Sequence, residues 1–206
     1  MFIIAVAAFV PVIFGLNLAS SGKPDIFGST ALRVSRTPLD AQWHRATALG
    51  IGSARNLVGR LLAGARPLGR REQVEAVNEW VNARIAFSED RLLHGTGDVW
   101  SAGAETIRRG RGDCEDYAIA KMQLLRALGF SSDDLYLTIV RDLVRRADHA
   151  VLVMRLDGEF LVLDNNTDQI LESRQVPDYR PVFTYSAGQT WVHGYRPAVT
   201  VPADQF

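Results

Sequence analysis

The chain has one cysteine, Cys114, in 206 residues. A lone cysteine rules out an internal disulfide framework, so its thiol is either an inert buried group or one kept for chemistry. One cysteine and four scattered histidines also give no ligand cluster for zinc. Lysine is nearly absent, with Lys23 and Lys121 the only two, and no function follows from that scarcity. An excess of charge of either sign is lacking as well: 23 lysines and arginines balance 23 aspartates and glutamates. That balance argues against a nucleic-acid binder working by phosphate neutralisation. There are no internal repeats and no low-complexity segment. A hydrophobic content of 47% with 22% charged residues describes an ordinary globular protein.

A membrane-spanning length of apolar sequence is also missing. Residues 2–16, F-I-I-A-V-A-A-F-V-P-V-I-F-G-L, are apolar without a break, but a spanning helix needs about 20 such residues, and Pro11 interrupts the run. A signal-peptide core over residues 1–21 fits better, with Ala19 and Ser21 before a cleavage point, although the basic leader residues are absent. An uncleaved amino-terminal anchor is the alternative, ahead of a buried helix. The expectation is export, with residues 22–206 forming a single domain.

Residues 22–42 mix Gly, Ser, Thr and Pro and read as a lead-in that wraps the domain. Residues 41–62 are weakly helical, with Gly50, Gly52 and Gly59 against them. The stretch R-E-Q-V-E-A-V-N-E-W-V-N-A-R-I is a better helix: Val74, Val77, Val81 and Ile85 recur at three- and four-residue steps. The loop H-G-T-G-D-V-W and then A-E-T-I-R-R-G lead to the cysteine. From Cys114 to Leu128 the pattern is helical again, with Ala118, Met122 and Leu125 on one face and Gly129 placed to end the helix. Asp113 is a natural N-cap, and Glu115 and Asp116 fall in the first turn, where the macrodipole favours negative charge. Arg108, Arg109 and Arg111 read as a solvated basic face, with a partner-docking surface as the lesser alternative.

Beyond Gly129 the period changes to two. L-Y-L-T-I-V, H-A-V-L-V-M-R-L and E-F-L-V-L-D are strand-like, and P-V-F-T-Y-S and T-W-V-H-G-Y add one or two more strands. Asp157-Gly158 between apolar runs is a strong hairpin signal. Helices first and strands afterwards imply an α+β fold, with one antiparallel sheet packed on the helix that begins at Cys114.

If Asp157-Gly158 is a two-residue turn, His149 faces Asn166, and Asp164 and Asn166 point to the face that carries His149. His149 and Asp164 are then diagonal neighbours, close enough for an imidazole and a carboxylate to meet. Packing the sheet on the helix brings His149 toward Cys114. Cys–His–Asp is a sound division of labour: the imidazole takes the thiol proton and returns it to the leaving group, and the aspartate fixes its tautomer. The plain alternatives are a structural histidine and an Asp164-Asn165-Asn166 turn. His44, His94 and His193 show no such arrangement.

G-D-C-E-D-Y-A-I-A-K, then H-A-V-L-V, then L-V-L-D-N closely resemble the bacterial transglutaminase-like cysteine proteinases, over about residues 70–185. The resemblance implies a papain- or transglutaminase-like core and a catalytic triad of Cys114, His149 and Asp164. It implies a calcium requirement, with Asp113, Glu115 and Asp116 as ligands that backbone carbonyls or water complete; calcium favours such oxygen donors. It further implies a periplasmic enzyme of a Gram-negative bacterium. Such an enzyme cuts a large surface adhesin near its amino terminus, at a pair of alanines, and so releases biofilm. An inner-membrane receptor for cyclic di-GMP is the implied regulatory partner, and no nucleic acid is. The family pattern has Trp followed by Thr-Pro, whereas Trp100 here precedes Ser101, Ala102 and Gly103, so substrate contacts at that loop are open to difference. Two other functions share these residues: acyl transfer to an amine, and a non-catalytic module stapled by calcium.

Overall fold

The computed structural model describes residues 22–89 and 99–195. The apolar run at 2–16, His94 and most of the loop H-G-T-G-D-V-W fall outside them. Among the described residues, no helix is long and apolar enough to cross a membrane.

The lead-in does wrap the domain, but it also contributes a strand. β1 (Thr30–Val34) pairs antiparallel with the last strand, β9 (Gln189–Gly194), Thr30 lying opposite Gly194. Short helices follow: α1 (Asp40–Thr47), a 3-10 turn (Ile51–Ala54), and α2 (Arg55–Ala65). α3 (Arg70–Arg84) buries the predicted face through Val74, Val77 and Val81, and Glu72 reaches back to accept the backbone N–H of Gly69 at 2.7 Å. Next, β2 (Ala86–Phe87) lies parallel to β3 (Arg111–Gly112), with α4 (Gly103–Arg109) between them in sequence.

α5 (Cys114–Ala127) is the central helix. Every residue from Asp116 to Leu125 is buried, because α3 and α4 pack on it from one side and the sheet from the other. A helix enclosed on all sides gains from apolar residues all round it. Ile119, Leu124 and Leu125 are each fully buried, and each such side chain contributes roughly 2 kcal/mol. The helix ends as its sequence implies: Gly129 takes φ +91, and the N–H of Phe130 bonds back to the carbonyl of Leu125.

The remaining strands are β4 (Leu135–Asp142), β5 (Ala147–Leu156), β6 (Glu159–Leu163), β7 (Leu171–Glu172) and β8 (Tyr179–Ser186). Together with β1 and β9 they form a seven-stranded antiparallel sheet in the order β1-β9-β8-β4-β5-β6-β7, separate from the β2–β3 pair. One face, with Leu137, Leu152, Met154 and Leu161, packs on the helices. The opposite face, with Tyr136, Val151 and Val153, is covered by Ile26 and Phe27 of the lead-in. The architecture is thus the expected α+β fold, its sheet lying against the helix that starts at Cys114.

The β5–β6 hairpin sets the site. Asp157 and Gly158 both have positive φ (52° and 87°), as a two-residue turn matched to sheet twist requires. Leu156 pairs with Glu159 and Leu152 with Leu163, the register that such a turn dictates.

Candidate active site

That register carries through beyond the last ladder pair. His149 stands near the start of β5, and Asp164 directly follows β6. His149 Nε2 lies 2.9 Å from Asp164 Oδ1, and the side-chain amide of Asn166 lies 3.2 Å from the same nitrogen. Asp164 is fixed on all sides: the Asn166 N–H donates to Oδ1 at 2.9 Å, the Tyr179 hydroxyl donates to Oδ2 at 2.5 Å, and Asn82 holds its carbonyl at 3.0 Å. Tyr179 also meets the His149 ring edge-on, with ring centroids 5.7 Å apart. Burial alone would raise the Asp164 pKa. The hydrogen bond and charge of His149, together with the donors from Tyr179 and Asn166, overcome it and hold the group at about 2. Asp164 is therefore a carboxylate at neutral pH, and Tyr179, its closest donor, is a residue that sequence pattern did not single out.

Cys114 is the first residue of α5. It and His149 line both wings of a groove. One wing, of about 360 Å³, sets Leu39, Trp100 and Ile139 beside the acids Glu115 and Asp148; the other, of about 510 Å³, has Phe87, Tyr117, Arg145 and Asn166. Since His149 Nε2 is engaged by Asp164, its Nδ1 is the nitrogen available to the thiol. A backbone hydrogen bond from Ala150 reaches the sulfur and favours its ionised form.

The acids around the sulfur work the other way. The thiol donates to Glu115 Oε2 at 3.1 Å. Burial first, then the charge of Glu115 and its hydrogen bond, and finally the charge of Asp113, push the thiol pKa up. The three carboxylates expected to hold calcium do not act as one set. Asp113 is at the N-cap in extended conformation, but its side chain makes no capping bond. Asp116 is fully buried, accepting from Arg109 Nη2 at 2.8 Å and from the Ser101 N–H at 2.9 Å. Successive helical residues point about 100° apart, so Glu115 and Asp116 diverge. Among the described residues no group of three or more acidic, histidine or cysteine side chains converges as a metal site. Asp113 and Glu115, hard oxygen donors beside the sulfur, suit calcium in kind; Asp116 does not while Arg109 holds it.

The reading of the basic cluster as a solvated face holds for the exposed Arg108 and Arg111 and fails for Arg109. Arg109 is mostly buried in its ion pair, and its Nε donates to the carbonyl of Arg111 at 2.9 Å. Arg108 donates to Ser53 at 2.8 Å. The glycine before Asp113 has a geometric reason: a Cβ on Gly112 would sit 2.5 Å from Asp116 Oδ2, so only glycine lets that carboxylate fold over the strand.

A cysteine at a helix N-terminus, beside a histidine that an aspartate orients from an antiparallel sheet, defines the class of papain- and transglutaminase-like thiol enzymes. Residues 66–193 match the model of the bacterial transglutaminase-like cysteine proteinases, and the chain belongs to that family. LapG of Legionella pneumophila is 28% identical with a TM-score of 0.60, over 76% of this chain and 88% of that one. Calcium-bound LapG matches at the same identity and TM-score over 81% and 94%, and EGTA-treated LapG at a TM-score of 0.62 over 78% and 88%. No curated protein matches. The chain is a cysteine peptidase.

Proposed function

We propose that this chain is a calcium-dependent endopeptidase that uses Cys114, His149 and Asp164 to cleave a bacterial cell-surface protein of the adhesin type, and so releases biofilm. The observation that carries the catalytic part is the 2.9 Å contact of His149 Nε2 with Asp164, on a groove that Cys114 shares with His149. His149 Nδ1 takes the thiol proton as Cys114 Sγ attacks the scissile carbonyl. The imidazolium, neutralised by Asp164, then protonates the departing amine. Water, deprotonated by the same nitrogen, releases the acyl group and restores the thiol. The Ala150 N–H steadies the thiolate between these steps. The open groove, with apolar and charged side chains on both wings, suits an extended polypeptide.

Asp113 and Glu115 would hold the calcium, with Asp116 joining only by leaving Arg109. Bound there, the ion would supply the positive charge that reverses the effect of the acids on the thiol. The existence of calcium-bound and EGTA-treated forms of LapG supports this reading. Its extension is a periplasmic location, supported by the apolar run at 2–16, and control by an inner-membrane cyclic di-GMP receptor.

The test is cleavage of surface-protein fragments by the purified protein, with calcium and with a chelator. Cleavage should vanish in chelator and fall at least about a thousandfold in Cys114→Ala, in keeping with loss of a nucleophile. Persistent cleavage by Cys114→Ala would overturn the catalytic reading; full activity in chelator would overturn the calcium reading.

A further inference from the structure

Charge is balanced over the whole chain but not along it. From residue 41 to residue 71 there are six arginines and no aspartate or glutamate, which leaves 17 basic against 23 acidic side chains elsewhere. Such segregation marks a region that meets a partner of the opposite sign. Two of the six are engaged within the fold: Arg70 lies over the Phe130 ring at 3.5 Å, and Arg71 pairs with Glu75 at 2.9 Å. Arg55 and Arg60 on α2, and Arg66 just after it, are exposed, and among the described residues none of the three has an ion-pair partner.

Arg55, Gly59, Ala63 and Arg66 follow one another at four- and three-residue steps, so they share one stripe of the helix. That stripe edges a groove of about 680 Å³ whose apolar lining is Ile51, Val58, Leu62 and Ala127. The two arginines stand about 16 Å apart along the axis, with only small side chains between them. Three leucines beside the groove face solvent: Leu49 at 70% exposure, Leu57 at 41% and Leu68 at 40%. A single exposed leucine is ordinary, but three clustered with unpaired arginines supply both parts of an interfacial helix, apolar anchors and cations. The leucines lie outside the groove, as contact with a broad layer requires; a protein segment seated in the groove would leave them in water.

We propose that the exposed face of α2 docks the protein on an anionic phospholipid surface: the guanidinium forks take the lipid phosphates, and the leucines enter the apolar layer beneath. The groove reaches Ala127, the last residue of α5, whereas Cys114 is the first. The docking face and the nucleophile are thus about 20 Å apart along one helix, which leaves the catalytic groove free for a polypeptide. Buried Gln123 of α5 holds the segment before α2 to the core, its Nε2 donating to the carbonyls of Ala46 and Leu49 at 3.1 and 2.9 Å. Nothing in this docking depends on the peptidase reading.

The test follows amide hydrogen exchange over residues 49–68 of the full chain, on vesicles of POPC and on vesicles of POPC and POPG. Residues 1–22 carry no charged side chain, so that segment meets both vesicles alike. Exchange should be at least about tenfold slower on the anionic vesicles, in keeping with three arginines at a charged surface, and about 0.5 M salt should remove the difference. The triple variant Arg55→Gln, Arg60→Gln, Arg66→Gln should lose the difference while unfolding at the parental temperature, since all three side chains are exposed. Equal exchange of the parent on the two vesicles overturns the docking, as does a lipid difference that the triple variant keeps. Slowing by soluble poly-glutamate as strong as that by POPG also overturns it, and assigns the face to an acidic protein segment. Should the triple variant fold poorly, the comparison of lipids and salt on the parent decides alone.

Discussion

The two halves of the proposed catalytic pair are built by different means. The histidine half is local: His149 and Asp164 are 15 residues apart, joined by a two-residue turn whose geometry sets which side chains meet. The cysteine half is assembled from afar. Cys114 begins a helix enclosed by α3, α4 and the sheet, and its acidic neighbours are sorted by an arginine from α4 and a backbone N–H at Ser101. A local device tolerates changes elsewhere in the fold but has little tolerance for an altered turn. A distributed one behaves in the opposite way.

The largest effect should come from the local half. Asp164→Asn keeps the shape of the side chain but removes the charge that opposes the imidazolium. Peptidase kcat should fall by about 10²–10⁴, as when a triad aspartate is neutralised. It should also change the response to acid. The pKa of Asp164 is depressed in the folded state, so its stabilisation, about 2 kcal/mol, is present above the ordinary aspartate pKa near 4 and is lost as pH falls toward 2. Urea unfolding between pH 2 and 5 should therefore show a weaker dependence on pH in the variant. A parent-like kcat would show that His149 needs no orienting charge.

How far each half could be read in advance follows the same division. The hairpin was legible because Asp157-Gly158 names its turn and strand alternation then fixes the faces. The helix was legible in existence and limits, through Val74, Val77 and Val81 on α3 and the Gly129 stop on α5. What sequence could not show was pairing across long separations. Thr30–Val34 looks like lead-in because its partner strand lies some 160 residues away. Arg109 looks solvated because the carboxylate it meets is turned inward over a glycine that only geometry explains. Asp113, Glu115 and Asp116 look like one converging set because adjacency in sequence resembles adjacency in space, which a helix denies at consecutive positions.

The second prediction tests the distributed half through that inward carboxylate. Arg109→Met should leave Asp116 fully buried without its cation, and removing one partner of a buried pair costs about 3 kcal/mol. For a domain of this size that is a fall in Tm of on the order of 8 °C, measurable by calorimetry. Adding Asp116→Asn should restore part of the loss, since a neutral amide needs no counter-charge. If Arg109→Met unfolds at the parental temperature, the ion pair contributes only orientation. The difference between the two halves would then lie in geometry and not in energy.

The smallest effect should appear where the local half borrows from a distant strand. Tyr179, at the start of β8, supplies the donor to the second oxygen of Asp164, the one His149 does not use. Tyr179→Phe removes that bond and keeps the ring that meets His149 edge-on, so the packing survives. One hydrogen bond to a buried carboxylate is worth about 1–2 kcal/mol, or roughly five- to thirtyfold in kcat if the whole of it acts through the orientation of His149. The Asp164 pKa should rise from about 2, because one of the bonds that hold it down is gone, and acid unfolding should begin at a higher pH than in the parent. A rise in that unfolding pH with kcat unchanged would make Tyr179 a support of the carboxylate alone. A fall in kcat with the acid limit unchanged would mean that its hydroxyl acts on His149 by another route. Both together would show that even the hairpin half, local in its register, depends on a strand it does not pair with to keep its aspartate charged.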